Sequence, residues 1–487
     1  MSKPARVTTA LAFVFITAAF YAYTYNSGYG YDACEYLVIG RALLNGFRIS
    51  AFVLSKGWAM YVMTTAVLAL IPPNHTWITV AITLLFVLGV AGTWWVGRKL
   101  FGTAVATLSA LLVAACSFFM ELNFLEPEIP VYLTGLFAVA ALEFGRPTRA
   151  ARLALAGLWL GIGFAFKSVA LLYLAGVFAY FLFSTKWLTL RERLRSALWI
   201  AFGFGFGIAV PACYFAATGQ LRHHVEWSFL FPLLHYPANT FSLSKLYTKL
   251  LWFFVLLFGA GLLASTRGLR KALFADSRIL LVLWMGGVSL LSLLKTQASH
   301  YVFPGAAFLS FFIAQTLCCW RSLRMGPRTL PAWLPSAAAV LMIASAWLYS
   351  PAVFARFLHM RDFSGEGRLA ARIQALAVPG DHVLFLQGGN FVYWLAGRYP
   401  TVPFTDTDAQ PTYLLFRQPE LLTEALDDPR LKLVEFDPQN LVFDDPSFLE
   451  SEHHRNLLHR FSERLQERFT RLQDPGIPLS LWVPKGS

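Results

Sequence analysis

Six acids and five basic groups are the residues of this 487-residue chain best placed for chemistry. The acids are Asp32, Glu35, Glu121, Glu126, Glu128 and Glu226; the bases are Lys56, Lys167, Arg222, Lys295 and His300. Each stands at the edge of a long apolar run, where an ionisable group is costly unless it is paired or functional. A carboxylate there can take a proton from a hydroxyl. A fixed cation there can stabilise negative charge that grows in a transition state.

Simpler readings compete at each position. "DACE" (32–35) fits a capping box, with Asp32 accepting from first-turn amides and Glu35 reaching back. "NFLEPEIP" fits a helix start, with Glu126 and Glu128 near the dipole and Pro127 in the first turn. Lys56 and Lys167 suit interfacial lysines snorkelling to headgroups. "LRHHVEW", with Arg222 and Glu226, reads more readily as a solvated loop than as a metal site, and His300 suits a structural role. "QGGN" (387–390) is a turn rather than a phosphate loop. Capping, however, accounts for one carboxylate at one helix start. It does not account for acids in two loops facing lysines from two others.

The elements that must position these groups are membrane helices. Hydrophobic residues make up 57% of the chain and charged residues 14%, with 44 Phe, the composition of a polytopic α-helical membrane protein. The first apolar run lacks a small-residue cleavage site and reads as a retained span. Residues 1–351 hold 26 Lys and Arg against 9 Asp and Glu, whereas residues 352–487 hold 14 against 18. That shift divides a membrane part (1–351, with a long outer loop at 26–75) from a soluble α/β tail (352–487). Loop arginines of membrane proteins produce the basicity, so no nucleic-acid partner is implied. The five cysteines lack metal-ligand spacing and suggest no disulfide framework.

Basic loops set the topology. Placing Arg98/Lys99, Arg146–Arg152, Lys186–Arg195, Arg267–Arg278 and Arg321–Arg328 in the cytoplasm with the N-terminus requires even numbers of spans between them. Residues 153–184 are then a hairpin turning at "FKS", not one long span. About eleven spans result, the last at 333–350, with the tail outside. Residues 33–45 suit an interfacial helix ended by Gly46, and residues 58–71 suit a half-embedded one. In the tail, "GRLAARIQAL" and 452–472 read as helices; "DHVLFLQGG", "LKLVEF" and "LSLWVP" read as strands. The six acids and five bases fall on one outer face.

The order and spacing resemble GT-C glycosyltransferases of the protein mannosyltransferase and lipid A aminoarabinose transferase kind. Their first outer loop is similar to Asp32-x-x-x-Tyr36-x-x-Ile39-x-x-x-Leu43-Leu44-x-Gly46, and their Lys-Pro-Pro landmark to "SKGWAMYVM" at Lys56. A second acidic site resembles "EPEIPVYLTGLFAVAAL", a lysine-bearing hairpin "GLWLGIGFAFKSVALL", and a late outer element "SHYVFP". "FVYWLAGRYPT" resembles the outer domains of bacterial members. The chain departs from the pattern at Ala33, at Gly57-Trp58 and at His300, where Glu, Pro-Pro and Arg are usual.

The resemblance implies inverting transfer of a sugar from a polyprenyl-phosphate donor to a lipid, glycan or protein acceptor at the outer face of the cytoplasmic membrane. Carried onto this sequence, it makes Asp32 the base and Glu128 or Glu126 a second acid orienting acceptor or metal. Lys56, Lys167, His300 and Arg222 fall near the donor phosphate, with Glu35 and Tyr36 in support and loop 217–245 as a lid. A divalent cation is compatible, although the sequence specifies no ligand set. The alternative from another class is a transporter or flippase of a lipid-linked or small anionic substrate, which would tend to show inverted repeats and mid-span charges.

Overall fold

The computed structural model describes residues 3–28, 31–52, 54, 56–120, 122–144, 149–185, 188–230, 243–294, 299–325, 355, 359–386, 390–401, 419–437, 451–472 and 480–486. Along the chain run α1 (Lys3–Ser27), α2 (Tyr31–Leu44), α3 (Trp58–Leu70), α4 (His75–Phe101), α5 (Thr103–Phe119), α6 (Glu128–Glu143), α7 (Arg149–Phe166) and α8 (Ala170–Ala179). Next come α9 (Leu190–Ala217), α10 (Leu221–Val225), α11 (Leu243–Ser265), α12 (Arg267–Phe274), α13 (Ser277–Ser289) and α14 (Phe303–Met325). The remainder is α15 (Ser364–Leu376), β1 (His382–Phe385), α16 (Asn390–Ala396), β2 (Tyr399–Pro400), α17 (Pro419–Leu426), β3 (Leu431–Glu435), α18 (Glu452–Arg468), β4 (Phe469–Leu472) and β5 (Leu481–Pro484). These residues form two compact units: Met1–Gly28 with Pro73–Cys213 and Ala238–Arg361, and Tyr29–Pro72 with Tyr214–Pro237 and Asp362–Ser487.

The first unit is built from long apolar helices. Five described helical segments are long and apolar enough to cross a membrane, or six if the α11–α12 pair, bent by 101°, is one span; α5 is shorter. The expected span at 333–350 lies outside the described residues. One face of α9 carries Leu194, Leu198, Phe202, Phe206 and Val210, all more than half exposed. Spaced every four residues, they form one stripe. In water it would be an aggregation surface; in hydrocarbon it is an ordinary lipid-facing side. Elsewhere on α9, Gly207 meets Gly161 of α7, Gly203 lies against Ala154, and Gly157 of α7 lies against Ile200. A Cβ on Gly157 would lie 2.0 Å from the Ile200 carbonyl oxygen, and one on Gly203 would lie 1.9 Å from that of Ala154. Two small-x-x-x-small stripes thus let the backbones touch, the means by which helices associate where lipid removes the hydrophobic drive. The chain breaks between Phe166 and Ala170, where the basic flanks demand a turn.

The second unit contains a five-stranded sheet in the order β2-β1-β3-β5-β4. β1 pairs parallel with β2 and β3, while β5 pairs antiparallel with β3 and β4. Leu384, Val434, Phe436, Leu457, Phe461 and Leu465 form its core, and Trp227 joins them. The helix expected over 452–472 ends at Arg468, and its last four residues are strand β4. Residues Tyr29–Pro72 belong to this same compact unit.

α2 ends where the sequence places its stop. Gly46 adopts φ +89°, Phe47 N–H donates to the Ala42 carbonyl and Gly46 N–H to that of Leu43. That is a Schellman cap, and its left-handed position suits glycine. The start of α2 corrects the capping-box reading. The helix begins at Tyr31, so Asp32 lies within its first turn, and the Glu35 carboxylate is engaged elsewhere.

A candidate acid–base centre at three helix breaks

In the first unit, four ionisable residues come from three places where a helix is interrupted. The turn before α6 passes through Leu125 at φ +59°, the one described non-glycine residue in the left-handed region. A bulky residue there marks a strained backbone. Glu126 follows, and Pro127 stands at the N-cap of α6 with φ −67°. Proline loses nothing at a helix start, where amide donors lack intrahelical partners. Glu128 then opens the helix, fully buried, at the end that favours an anion.

The second break is the α7–α8 turn, which carries Lys167. Its Nζ lies 2.5 Å from Glu128 Oε1, and both side chains are buried. The same Nζ sits 3.9 Å from the Tyr301 ring centroid, a cation–π contact. Lys167 is therefore not snorkelling to headgroups. The third break is the 3₁₀ turn Ser299–Val302 ahead of α14, which supplies half-buried His300 and Tyr301. Tyr173 of α8 donates to the Pro304 carbonyl at 2.9 Å and ties the second break to the third.

Glu126, Glu128 and His300 offer ligand atoms that all lie within 4.8 Å of one another. Glu128 uses Oε1 on Lys167, while its buried Oε2 has no hydrogen-bond partner among the described residues. Two carboxylates and an imidazole form a donor set suited to a divalent cation, and the orphaned Oε2 fits one.

In the second unit, Asp32 stands in the first turn of α2 and Glu35 follows one turn on. Glu35 is fully buried and accepts a short hydrogen bond from Tyr61 Oη of α3. The Tyr36 ring meets that of Tyr61 edge-on, with centroids 5.4 Å apart at 73°. Lys56 is half-buried two residues before α3, and Arg222 is exposed on α10. Two described residues of the expected lid are anchored within the second unit. Trp227 is buried in the tail core and Ser228 Oγ donates to the Leu54 carbonyl at 2.9 Å; residues 231–242 lie outside the described residues, as do Glu121 and Lys295.

Three residues went unread as site supports. Arg41, near the end of α2, donates to the carbonyls of Tyr393, Trp394 and Arg398 at 3.1–3.4 Å and lies over the rings of Trp394 and Tyr399. Burial, the larger cause, and neighbouring Arg398 lower its pKa, while Tyr399 opposes them. Its signal was a basic residue in a last helical turn. Tyr301 sits inside "SHYVFP", and Tyr61 follows Lys56 by five residues, but an aromatic in an apolar run reads first as packing.

Comparison with known proteins decides the fold. No curated protein matches the chain in sequence. The family model described as dolichyl-phosphate-mannose-protein mannosyltransferase matches residues 49–216. ArnT from Cupriavidus metallidurans, in a structure bound to undecaprenyl phosphate, superposes with a TM-score of 0.61 at 13% identity, covering 99% of this chain and 98% of that one. The apo form of the same protein gives 0.59 at 13%, with 97% of each chain covered. AglB, the oligosaccharyltransferase of Archaeoglobus fulgidus, in complex with an inhibitory peptide and a dolichol-phosphate, gives 0.54 at 12%, covering 100% of this chain and 75% of that one. The fold is that of the GT-C glycosyltransferases. It is the polytopic membrane fold expected, of the kind found in ArnT, with a small sheet domain near the C-terminus.

Within this GT-C fold the structure brings together Glu126, Glu128, Lys167 and His300. Asp32, Glu35, Tyr36, Lys56 and Arg222 belong to the other compact unit. The family-model match spans Lys56, Glu126, Glu128 and Lys167.

Proposed function

We propose that this chain is a membrane glycosyltransferase that moves a sugar from a polyprenyl-phosphate donor to a lipid, glycan or protein acceptor at the outer face of the cytoplasmic membrane, with inversion. The observation that carries the reading is the Lys167–Glu128 pair beside Glu126 and His300, buried in a fold shared with proteins solved with undecaprenyl phosphate or dolichol-phosphate.

In the reaction the acceptor oxygen attacks the anomeric carbon while the bond from that carbon to the phosphate oxygen breaks. The electron pair leaves with the polyprenyl phosphate, and the acceptor proton passes to the Asp32 carboxylate as general base. Lys167 and Lys56 stabilise the charge growing on the leaving phosphate, with His300 and Arg222 on the same anion. Glu126 or Glu128 orients the acceptor, and Glu35 and Tyr36 support the first turns of α2. A divalent cation, when bound, would be held by Glu126, Glu128 and His300 and would supply Lewis-acid stabilisation of phosphate charge.

Mass spectrometry of surface lipids and glycans from cells lacking the protein names donor and acceptor. The purified chain, given that labelled donor, should then release the sugar from its lipid, which a transporter or flippase would not do. Asp32→Asn should insert normally, because Asn is itself tolerated at helix starts, yet lose on the order of 10²–10⁴-fold in rate. Substantial activity in that variant would remove Asp32 from the role of base.

A further inference from the structure

We propose that the α1–α4 face of the first unit is a binding groove for one anionic phospholipid, separate from the acid–base centre. The two helices run antiparallel. Tyr25 packs on His75 with ring centroids 4.5 Å apart, and Phe20 stacks on Phe86 at 4.0 Å. Beyond Phe20 towards the start of α1 the helices leave an apolar groove of about 370 Å³. Phe13 and Ile16 of α1 and Val87, Val90, Ala91 and Trp94 of α4 line it. That volume lies in the range of roughly 300–1,000 Å³ occupied by small-molecule ligands. It shares no residue with the Glu126–Glu128–His300 cluster.

Charge at one end selects the occupant. The Arg98 guanidinium lies over the Trp94 ring, 5.2 Å from its centroid, and Arg98 and Lys99 are both exposed. One helical turn, about 5.4 Å, therefore separates the groove wall from two cations. Lys3 and Arg6 occupy the first turns of α1 at this same end. An apolar slot that runs into a basic helix end matches a ligand with an acyl chain and an anionic headgroup. Basic pockets between membrane helices hold acidic lipids in this way. A phosphatidylcholine headgroup, carrying no net charge, would gain much less from the same cations.

The test uses the full-length protein in nanodiscs of equal phosphatidylglycerol and phosphatidylcholine, with retained lipid counted by native mass spectrometry after gentle release. The expected result is one phosphatidylglycerol per chain, retained at least fivefold over phosphatidylcholine. Ala91→Trp, on an exposed groove position, should lower that retention at least fivefold. Arg98→Gln with Lys99→Gln should bring the two lipids to near parity. If Ala91→Trp is not monodisperse, Ala10→Trp fills the groove from α1 and carries the same expectation. Equal retention of both lipids by the unaltered protein, or undiminished retention in the groove-filled variant, would overturn the proposal. So would displacement of phosphatidylglycerol by an equimolar polyprenyl phosphate, which would identify an isoprenoid as the occupant.

Discussion

Glu128 and Glu35 are both fully buried carboxylates near the starts of helices, one bonded to a lysine and the other to a tyrosine. Glu128 faces the ammonium of Lys167 across a break between two helices of the first unit. Glu35 faces the neutral hydroxyl of Tyr61, from a helix packed beside its own in the second. The first arrangement is an ion pair in low dielectric, in which removing one member strands a charge. The second includes a hydrogen bond to a neutral hydroxyl, and losing that bond alone carries a smaller stake. The comparison sets an ion pair across a helix break beside a hydrogen bond that fixes the contact between α2 and α3.

The largest effect should come from breaking the pair. Lys167→Met in the full chain should cost about 3–5 kcal/mol, because Glu128 is left buried and uncompensated. The double variant Lys167→Met/Glu128→Leu should recover most of that stability while restoring no transfer. Thermal unfolding in detergent checks the first statement and the labelled-donor assay the second. If the single and double variants unfold alike, the pair is not a committed one.

Arg41→Met comes next. It removes charge-assisted bonds to three carbonyls, at a cost of about 2 kcal/mol. Hydrogen exchange should quicken in both α2 and α16; quickening in α2 alone would deny the link between them. Glu35→Gln should be milder than either, since an amide oxygen can still accept from Tyr61. A loss near 1 kcal/mol, matched by Tyr61→Phe and not exceeded in the double variant, is expected. Additive losses would separate the two residues and end the contrast with Glu128.

The smallest effect concerns Asp362, a fully exposed carboxylate at the start of α15. The backbone N–H of Ser364, chiefly, and its hydroxyl hold the Asp362 carboxyl below its ordinary value. A depressed folded-state pKa contributes stability that is full above the unfolded value of about 3.8 and is lost as pH falls through the lowered one. Protection of α15 against hydrogen exchange should thus weaken at the acid end. Asp362→Asn should flatten that dependence.

Much of the fold was legible because membrane helices advertise themselves. Apolar length marked the long helices, basic flanks pointed to the α7–α8 break at Lys167, and Gly46 marked the end of α2. Within the site, Glu126, Glu128, Lys167 and His300 were named from their cost at depth, and they converge. The grouping of residues 29–72 with the tail was not legible, since hydropathy reports solvent preference and not which protein surface an element meets. Nor was the end of α18: "RFTRL" carries both helical and strand periodicity over five residues, and pairing with β5 decides it. The partners Tyr61 and Tyr301 were hidden for a third reason. Tyrosine's ring fits an apolar run, so its hydroxyl leaves no pattern.

The Arg41 clamp joins residues 352 positions apart in the chain, and that separation is also an interval of time. At about 5–20 residues per second, α2 emerges roughly 20–70 seconds before the carbonyls that hold it have been synthesised. The helix carrying Asp32 must wait through that interval without its anchor. Synthesis through Tyr393–Arg398 is therefore an assembly step for the front of the protein, and a ribosome stalled before Tyr393 would leave α2 without its clamp.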